Sequence, residues 1–175
     1  MRFIFVEELI KYAKKNKDVY LVTADLGYRA FEGFKKLYPE RFINVGVAEN
    51  NMVGVAAGLA LSGKKVFVYS ILPFLIFRSL EQIRNNICHN NLDVTLVGAG
   101  GGFSYGLQGV SHNTSEDISV IRSLPNMKVF NPGSKLETLL SLNIAYKSNR
   151  PSFIRLGKCP EIDFYKKNLK LKNGN

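Results

Sequence analysis

Short runs of apolar and β-branched residues alternate along the chain with longer amphipathic stretches. Six such runs predict buried strands: 19–24 (VYLVTA), 42–45, 65–70, 93–98, 127–131 and 152–156. Helical periodicity between them predicts helices near 3–15, 31–38, 49–62, 77–89, 116–124 and 134–147. Regular alternation of this kind is typical of parallel strands with helices on both faces. We therefore predict an α/β fold with one doubly wound, mostly parallel sheet.

Local signals mark two helix starts and the extent of the domain. The segment 134–137 (SKLE) follows Pro132-Gly133 and has the form of a capping box. Ser115 precedes two acidic residues, which predicts an N-cap at Ser115. No internal repeat or linker interrupts the chain, so we expect one domain over residues 1–158. Residues 159–175 are expected to form a basic C-terminal tail that adds no further domain.

Composition and charge change this picture little. Hydrophobic residues make up 46% of the chain and charged residues 22%, which is ordinary for a globular protein. The net charge of +10 comes largely from lysines scattered over several segments. We interpret them as a solvated surface that attracts phosphorylated substrates or an acidic partner chain, and we expect no nucleic-acid partner.

Several classes of protein and site are not expected. No apolar run approaches the roughly 18–20 residues that cross a bilayer, so no membrane span is expected. Cys88 and Cys159 form no C-x-x-C pair, and the chain has two histidines, so no metal site is expected on it. Two unlinked cysteines fit a cytoplasmic protein.

The loops after the first four predicted strands are where function is expected, because open α/β sheets bind ligands beyond the carboxyl ends of their strands. These loops read ADLGYRA (24–30), VGVAEN (45–50), YSILPF (69–74) and GAGGGFSYGLQGVSHN (98–113).

Glu49 stands in front of an apolar helix that has no charged residue from Met52 to Leu61. Gly54 and Gly58 lie four residues apart on one helical face, which lets another backbone come close. The helix either packs centrally on its own sheet or crosses a second subunit at an interface, and both can hold. Glu49 itself either interacts favourably with the helix dipole or is kept away from water to exchange a proton with a ring nitrogen of a ligand.

Five segments, in order, resemble the pyrimidine-binding domain of transketolase-like, thiamine diphosphate-dependent enzymes. They are ADLG (24–27), NVGVAENNMVGVAAGLALSG (44–63), PFLIFRSLEQIR (73–84), GVSHNTSEDISVIRSLPNMKV (109–129) and PSFIR (151–155). The resemblance covers about residues 2 to 158, nearly the whole chain. It implies the doubly wound fold of that family.

The resemblance also implies which residues hold the cofactor. Glu49 matches the glutamate that hydrogen-bonds N1′ of the aminopyrimidine ring and thereby activates the cofactor. Phe74 matches the aromatic residue that stacks on this ring, with Phe77 as the alternative, because the spacing to the following arginines leaves a one-residue ambiguity. Asp25 matches a loop acid near the cofactor.

On the substrate side the resemblance is less complete. His112 matches a histidine that faces the substrate and donates to a developing alkoxide, and Arg2 is a weaker candidate for a substrate anion. Gly100 stands where sugar-phosphate members commonly carry a histidine, and Gln108 stands where an aspartate reads a substrate hydroxyl. We interpret the glycine run at 100–102 as a plain turn that opens room above the thiazolium. These departures predict a substrate unlike an ordinary ketose phosphate.

The resemblance further implies a second polypeptide, because family members bind the diphosphate and Mg²⁺ on a domain with a Gly-Asp-Gly motif, which this sequence does not contain. We expect the small subunit of an α2β2 heterotetramer, a transferase that moves a two-carbon or acyl unit between carbonyl compounds, sugar-derived ones in particular. The alternatives are a subunit of a 2-oxo acid decarboxylase or lyase with the same cofactor, and a non-catalytic assembly module of the same fold.

Overall fold

The sheet contains the six strands that the sequence predicts. In the computed structural model, which describes residues 1–157, they are β1 (Val19–Thr23), β2 (Phe42–Asn44), β3 (Lys65–Ile71), β4 (Val94–Ala99), β5 (Lys128–Phe130) and β6 (Ser152–Leu156). Their order is β2-β1-β3-β4-β6-β5, and each neighbouring pair is parallel. Every strand end lies within one residue of its prediction. The doubly wound parallel fold is thus confirmed, while the predicted tail, 159–175, lies outside the described residues.

Helices cover both faces of this sheet. They are α1 (Arg2–Lys15), α2 (Glu32–Leu37), α3 (Glu49–Leu61), α4 (Leu72–Phe77), α5 (Leu80–Gln82), a π-helical segment (Ile83–Cys88), α6 (Asp117–Arg122) and α7 (Lys135–Ser148). Helices α1, α2 and α7 pack on one face, and α3 to α6 with the π-helical segment pack on the other. Within residues 1–157 no helix combines the length and the hydropathy that crossing a membrane requires.

The central strands are buried on both faces, which explains their almost continuous apolar sequence. Along β3, Val66 and Val68 join the core beneath α3 and α4, whereas Phe67 and Tyr69 join the core beneath α1 and α7. Alternate residues of one strand therefore support two separate hydrophobic layers.

The single helix predicted at 77–89 is wrong in its bounds. The helix begins at Leu72, with Pro73 in its first turn, where the missing N–H of proline costs no hydrogen bond. It is then interrupted at Ser79, whose backbone leaves the helical region (φ −130°, ψ 23°) and whose hydroxyl donates to the carbonyl of Leu75. Three short pieces result, α4, α5 and the π-helical segment.

The two predicted helix caps have different outcomes. Ser134 is confirmed as the N-cap of α7: its hydroxyl accepts from the Glu137 N–H at 3.1 Å, and the Glu137 carboxylate accepts from the Gly133 N–H at 2.7 Å. Ser115 is not the N-cap of α6, because that helix begins after Glu116. The Glu116 carboxylate accepts the Ser115 N–H at 2.8 Å and holds Ser115 outside the helix.

A buried ion pair ties α6 to β6. Asp117 is fully buried, and its Oδ2 accepts from Nε of Arg155 at 2.6 Å while Oδ1 accepts from Nη2 at 3.4 Å. The Arg155 side chain is only 19% exposed. Removing one member of such a pair leaves an uncompensated charge inside the protein.

We predict that Arg155→Leu lowers the free energy of unfolding by about 3–5 kcal/mol, because it leaves the buried Asp117 carboxylate without its partner cation. Urea denaturation of the chain measures this. The matched control is Lys11→Gln, which breaks an exposed pair with Glu8 and is expected to cost less than about 1 kcal/mol. Equal losses for the two variants would contradict the structural role of the buried pair.

Candidate active site

The site lies at the carboxyl edge of the sheet, beside its switch point. From β1 the chain moves to one side to form β2 and then returns to the other side to form β3. Ligands of open α/β sheets bind at such points, beyond the strand ends. Glu49 at the start of α3 and Phe74 in α4 follow the ends of β2 and β3, so the topology brings both to this edge.

Glu49 is buried, and its carboxylate is bound by Arg78. Nη1 of Arg78 lies 3.0 Å from Oε1 and 2.9 Å from Oε2 of Glu49. The N-cap of α3 is Ala48, which provides no side-chain cap. Glu49 therefore does more than place a negative charge at the start of a helix, because both of its oxygens accept hydrogen bonds from a cation on another segment.

Phe74 lies beneath the same guanidinium. The Cζ atom of Arg78 is 3.9 Å from the centroid of the Phe74 ring, a cation–π contact. A flat, cationic group with N–H donors is thus stacked on an aromatic ring and bound to a buried carboxylate.

His112 reaches this cluster from the loop after β4. Its ring centroid is 5.0 Å from that of Phe74 at an interplanar angle of 68°, and 5.7 Å from that of Tyr105 at 66°. Nδ1 of His112 is 2.9 Å from Oγ of Ser111. The structure therefore brings three predicted residues, Glu49, Phe74 and His112, into one continuous series of contacts.

The loop that carries His112 is closed on itself. Gly102 and Thr114 exchange two backbone hydrogen bonds, of 2.8 and 3.1 Å, at its base. Nδ2 of Asn113 donates to the Gly106 carbonyl at 2.9 Å. These bonds fix the backbone around His112, and Gln108 lies at the exposed tip of the loop, in a short 3₁₀ turn.

The expectation that the glycine run opens room is wrong for two of its residues. A Cβ atom on Gly100 (φ +85°) would lie 2.0 Å from Cε2 of Tyr105, and one on Gly101 would lie 2.2 Å from Cζ of Arg155. Tyr105 from the same loop and Arg155 from β6 already fill this space. The glycines are needed for that close packing.

Two further predicted site residues, Asp25 and Phe77, lie at the end of β1 and at the end of α4. Asp25, at the exposed end of β1 (φ 53°), donates its N–H to Oδ1 of Asn44 at 2.8 Å. Phe77 is 43% exposed and lines an open groove beside Arg78 and Asn50. Their contacts to a cofactor stay predictions.

Arg2 lies beside two tyrosines. Burial raises the pKa of Tyr69 to about 12 and also raises that of Tyr105, while the positive charge of Arg2 opposes both shifts. Both phenols are therefore protonated at neutral pH.

Sequence reasoning missed two members of the site. In the sequence, Arg78 was noted only as one of the arginines that follow Phe74. It stands four residues after Phe74, a spacing at which side chains on a helix contact each other. Tyr105 carried no signal, because its contacts are made by the folding of the loop. Within residues 1–157 no group of three or more His, Cys, Asp or Glu side chains is placed to hold a metal ion.

Comparison with known proteins gives one family model, described as the pyrimidine-binding domain of transketolase, which matches residues 1–159. One subunit of an apulose-4-phosphate transketolase of Actinobacillus succinogenes is 41% identical over 162 residues, covering 91% of this chain and 52% of its own. A putative transketolase C-terminal section of Methanocaldococcus jannaschii is 39% identical over 157 residues, covering 89% of this chain and 50% of its own.

Among solved structures, one described as a split gene transketolase, inactive β4 tetramer, superposes with a TM-score of 0.84 at 32% identity. The match covers 97% of this chain and 55% of that one. The chain thus spans about half the length of the curated relatives it matches.

We predict that Arg78→Gln destabilises the chain by about 1–2 kcal/mol, because Glu49 becomes a buried charge without its cation. The estimate lies below the usual cost of breaking a buried pair because Arg78 is 47% exposed. The double variant Glu49→Gln/Arg78→Gln is expected to recover most of this loss, since it removes both charges. Urea denaturation of the four proteins gives the coupling free energy, and additive losses would contradict the pairing.

Proposed function

The chain belongs to the transketolase pyrimidine-binding domain family, and we propose that it is the small subunit of a two-chain, thiamine diphosphate-dependent transketolase-like transferase. The enzyme moves a two-carbon or acyl unit between carbonyl compounds. The buried Glu49 carboxylate, presented at the first turn of α3 beside Phe74, is the observation that carries this proposal.

The groups that bind the Arg78 side chain can be compared with those that an aminopyrimidine ring of the cofactor would need. The Arg78 guanidinium is planar, donates to both oxygens of Glu49 and stacks on Phe74. An aminopyrimidine needs the same two partners, a carboxylate for its ring nitrogen and an aromatic face. The residues therefore fit the ring, provided that Arg78 releases Glu49.

That release is needed because Arg78 occupies the Glu49 carboxylate. Both oxygens of Glu49 accept from the guanidinium, so neither is free to pair with a ring nitrogen. Arg78 is 47% exposed, so its side chain has room to move toward solvent and would then leave Glu49 to hold the ring nitrogen of the cofactor. Phe74 would stack on the ring, with Phe77 and Asp25 as further candidates to hold it.

When it is bound, thiamine diphosphate supplies a nucleophilic carbon and an electron sink. The chain supplies groups for the substrate. His112, fixed by its closed loop, donates to the oxygen on which negative charge develops. Gln108 is placed on the same loop to bind a substrate hydroxyl, with Arg2 as a candidate for an anionic group.

The substrate we propose is a sugar-derived carbonyl compound. One relative is named as a subunit of an apulose-4-phosphate transketolase, which supports a sugar-derived substrate. Gly100 and Gln108 replace the histidine and aspartate that read ordinary ketose phosphates in the family. Both changes lie on the substrate side, whereas the cofactor side is intact.

The partner we propose is a separate chain with a Gly-Asp-Gly motif that provides the Mg²⁺ ligands, in a cytoplasmic α2β2 heterotetramer. On α3, nothing lies within 4 Å of a Cβ atom added to Gly54 or Gly58, so this face is open to a second subunit. Leu61 and Val47, at the ends of the same region, are 69% and 74% exposed. A related structure is described as an inactive β4 tetramer, which supports the self-association of chains of this kind.

Two rival functions are separable by assay. A 2-oxo acid decarboxylase or lyase subunit would release CO₂, whereas the proposed transferase moves a carbon unit between two carbonyl compounds. A non-catalytic assembly module has no reason to bury an acid at residue 49, and its complexes would be indifferent to the loss of that acid.

We predict that Glu49→Gln lowers turnover of the complex with its partner chain by more than about 100-fold, because an amide cannot exchange the proton. The variant is expected to assemble normally, as measured by size-exclusion chromatography of the co-expressed chains. Unchanged turnover in an assembled complex would favour the assembly module and overturn the proposal.

We predict that Gly58→Leu leaves the isolated fold at least as stable, since a glycine inside a helix costs about 0.5–1 kcal/mol relative to alanine. Assembly is expected to weaken about 10- to 100-fold, because the added side chain overpacks a subunit contact. Sedimentation velocity measures this.

The control for this variant is Gly33→Leu in α2, where an added Cβ meets only Ile10 Cδ1 at 3.6 Å. It is expected to leave assembly intact. Normal assembly of Gly58→Leu would place the interface elsewhere.

A further inference from the structure

The ring of Tyr105 passes through the place where a side chain on residue 100 would begin. A Cβ atom built on Gly100 would lie 2.0, 2.7 and 2.9 Å from three carbon atoms of that ring. The two groups exclude each other. A side chain at residue 100 therefore has no room while Tyr105 lies here.

The same ring contacts His112. Phe74 and Tyr105 both meet the imidazole nearly edge to face, at interplanar angles of 68° and 66°. Phe74 belongs to α4 and Tyr105 to the loop of His112 itself, so the imidazole is held between the scaffold and its own loop. Such aromatic pairs stabilise one orientation by their geometry as well as by the area they bury.

Two hydrogen bonds anchor the backbone that leads into Tyr105. The Gly100 N–H donates to the Leu156 carbonyl at 2.8 Å, which fixes the start of the loop to β6. The Ser104 hydroxyl donates to the Gly101 carbonyl at 2.6 Å. The ring is thus presented from a constrained turn.

We propose that Tyr105 is a positioning residue of the site: its ring takes the volume of the missing residue-100 side chain and holds the His112 imidazole against Phe74. The role of His112 in catalysis rests on the proposed function, but the placement of its ring does not. The proposal requires the aromatic ring of Tyr105.

The full chain alone tests the placement by NMR of its histidine ring protons. The sequence has two histidines, so the exposed His89 gives an internal reference. Tyr105→Leu is expected to move the His112 signals and leave those of His89 in place. Tyr105→Phe is expected to keep the His112 signals near their original positions. The control is Tyr28→Leu, at a tyrosine that is 79% exposed on the same edge, and it is expected to move neither histidine.

A double-mutant cycle tests the shared volume. Gly100→Ala is expected to lower the urea midpoint more in the native background than in Tyr105→Ala, because truncation removes the clash. The strain of the positive φ at residue 100 is common to both backgrounds and cancels. Additive losses, or His112 signals that Tyr105→Leu leaves in place, would overturn the proposal.

Turnover of the assembled complex separates this proposal from the proposed function. Tyr105→Leu is expected to lower kcat by about 10- to 100-fold with a smaller change in KM, as misplacement of a catalytic group does. Tyr105→Phe is expected to restore most of that loss, and an equal loss in both would contradict a role for the ring. If the native complex transfers no carbon unit while the NMR shifts appear, the function fails and the placement stands.

Discussion

A buried carboxylate needs a hydrogen-bonding or cationic partner. Much of the arrangement of the site follows from how Glu49 obtains one. Arg78 reaches it from the segment after β3, where the helix stops at Phe77 and the backbone turns at Ser79. The same guanidinium lies over Phe74, so one cation joins the start of α3 to α4. The Phe74 ring and the Glu49 carboxylate are therefore held at fixed positions relative to each other before a ligand binds.

The sequence contained enough information for the sheet and for the ends of its strands. Buried parallel strands are continuous apolar runs, and the position of Glu49 before an uncharged helix is readable without a structure. Glu49, Phe74 and His112 lie in one series of contacts that passes through Arg78, and their functional roles stay predictions. The pairing of Arg78 with Glu49 was not readable, because it joins segments that only the folded chain brings together, whereas the four-residue spacing of Arg78 and Phe74 was. The contacts of Tyr105 were not readable, because the folding of its own loop makes them. The glycine run was misinterpreted for the same reason: spacing along the chain does not show which side chain occupies the space beside a glycine.

In the proposed function, the site divides into a cofactor side built on helices and a substrate side built on one loop. Glu49 and Phe74 belong to elements packed on the core, whereas His112 and Gln108 belong to a loop closed by the Gly102–Thr114 pair. Such a loop can change its side chains without disturbing the core.

The wide turn at Ile83–Cys88 has a consequence for comparing relatives. The His89 N–H donates to the carbonyl of Arg84, five residues back, so each hydrogen-bonded ring contains one residue more than an α-helical ring. A homologue with an ordinary turn here spans the same distance with one residue fewer. Counting residues across the segment then misaligns the two chains by one position, and correct alignment has to start from landmarks on either side, Phe74 before the turn and Leu92 after it.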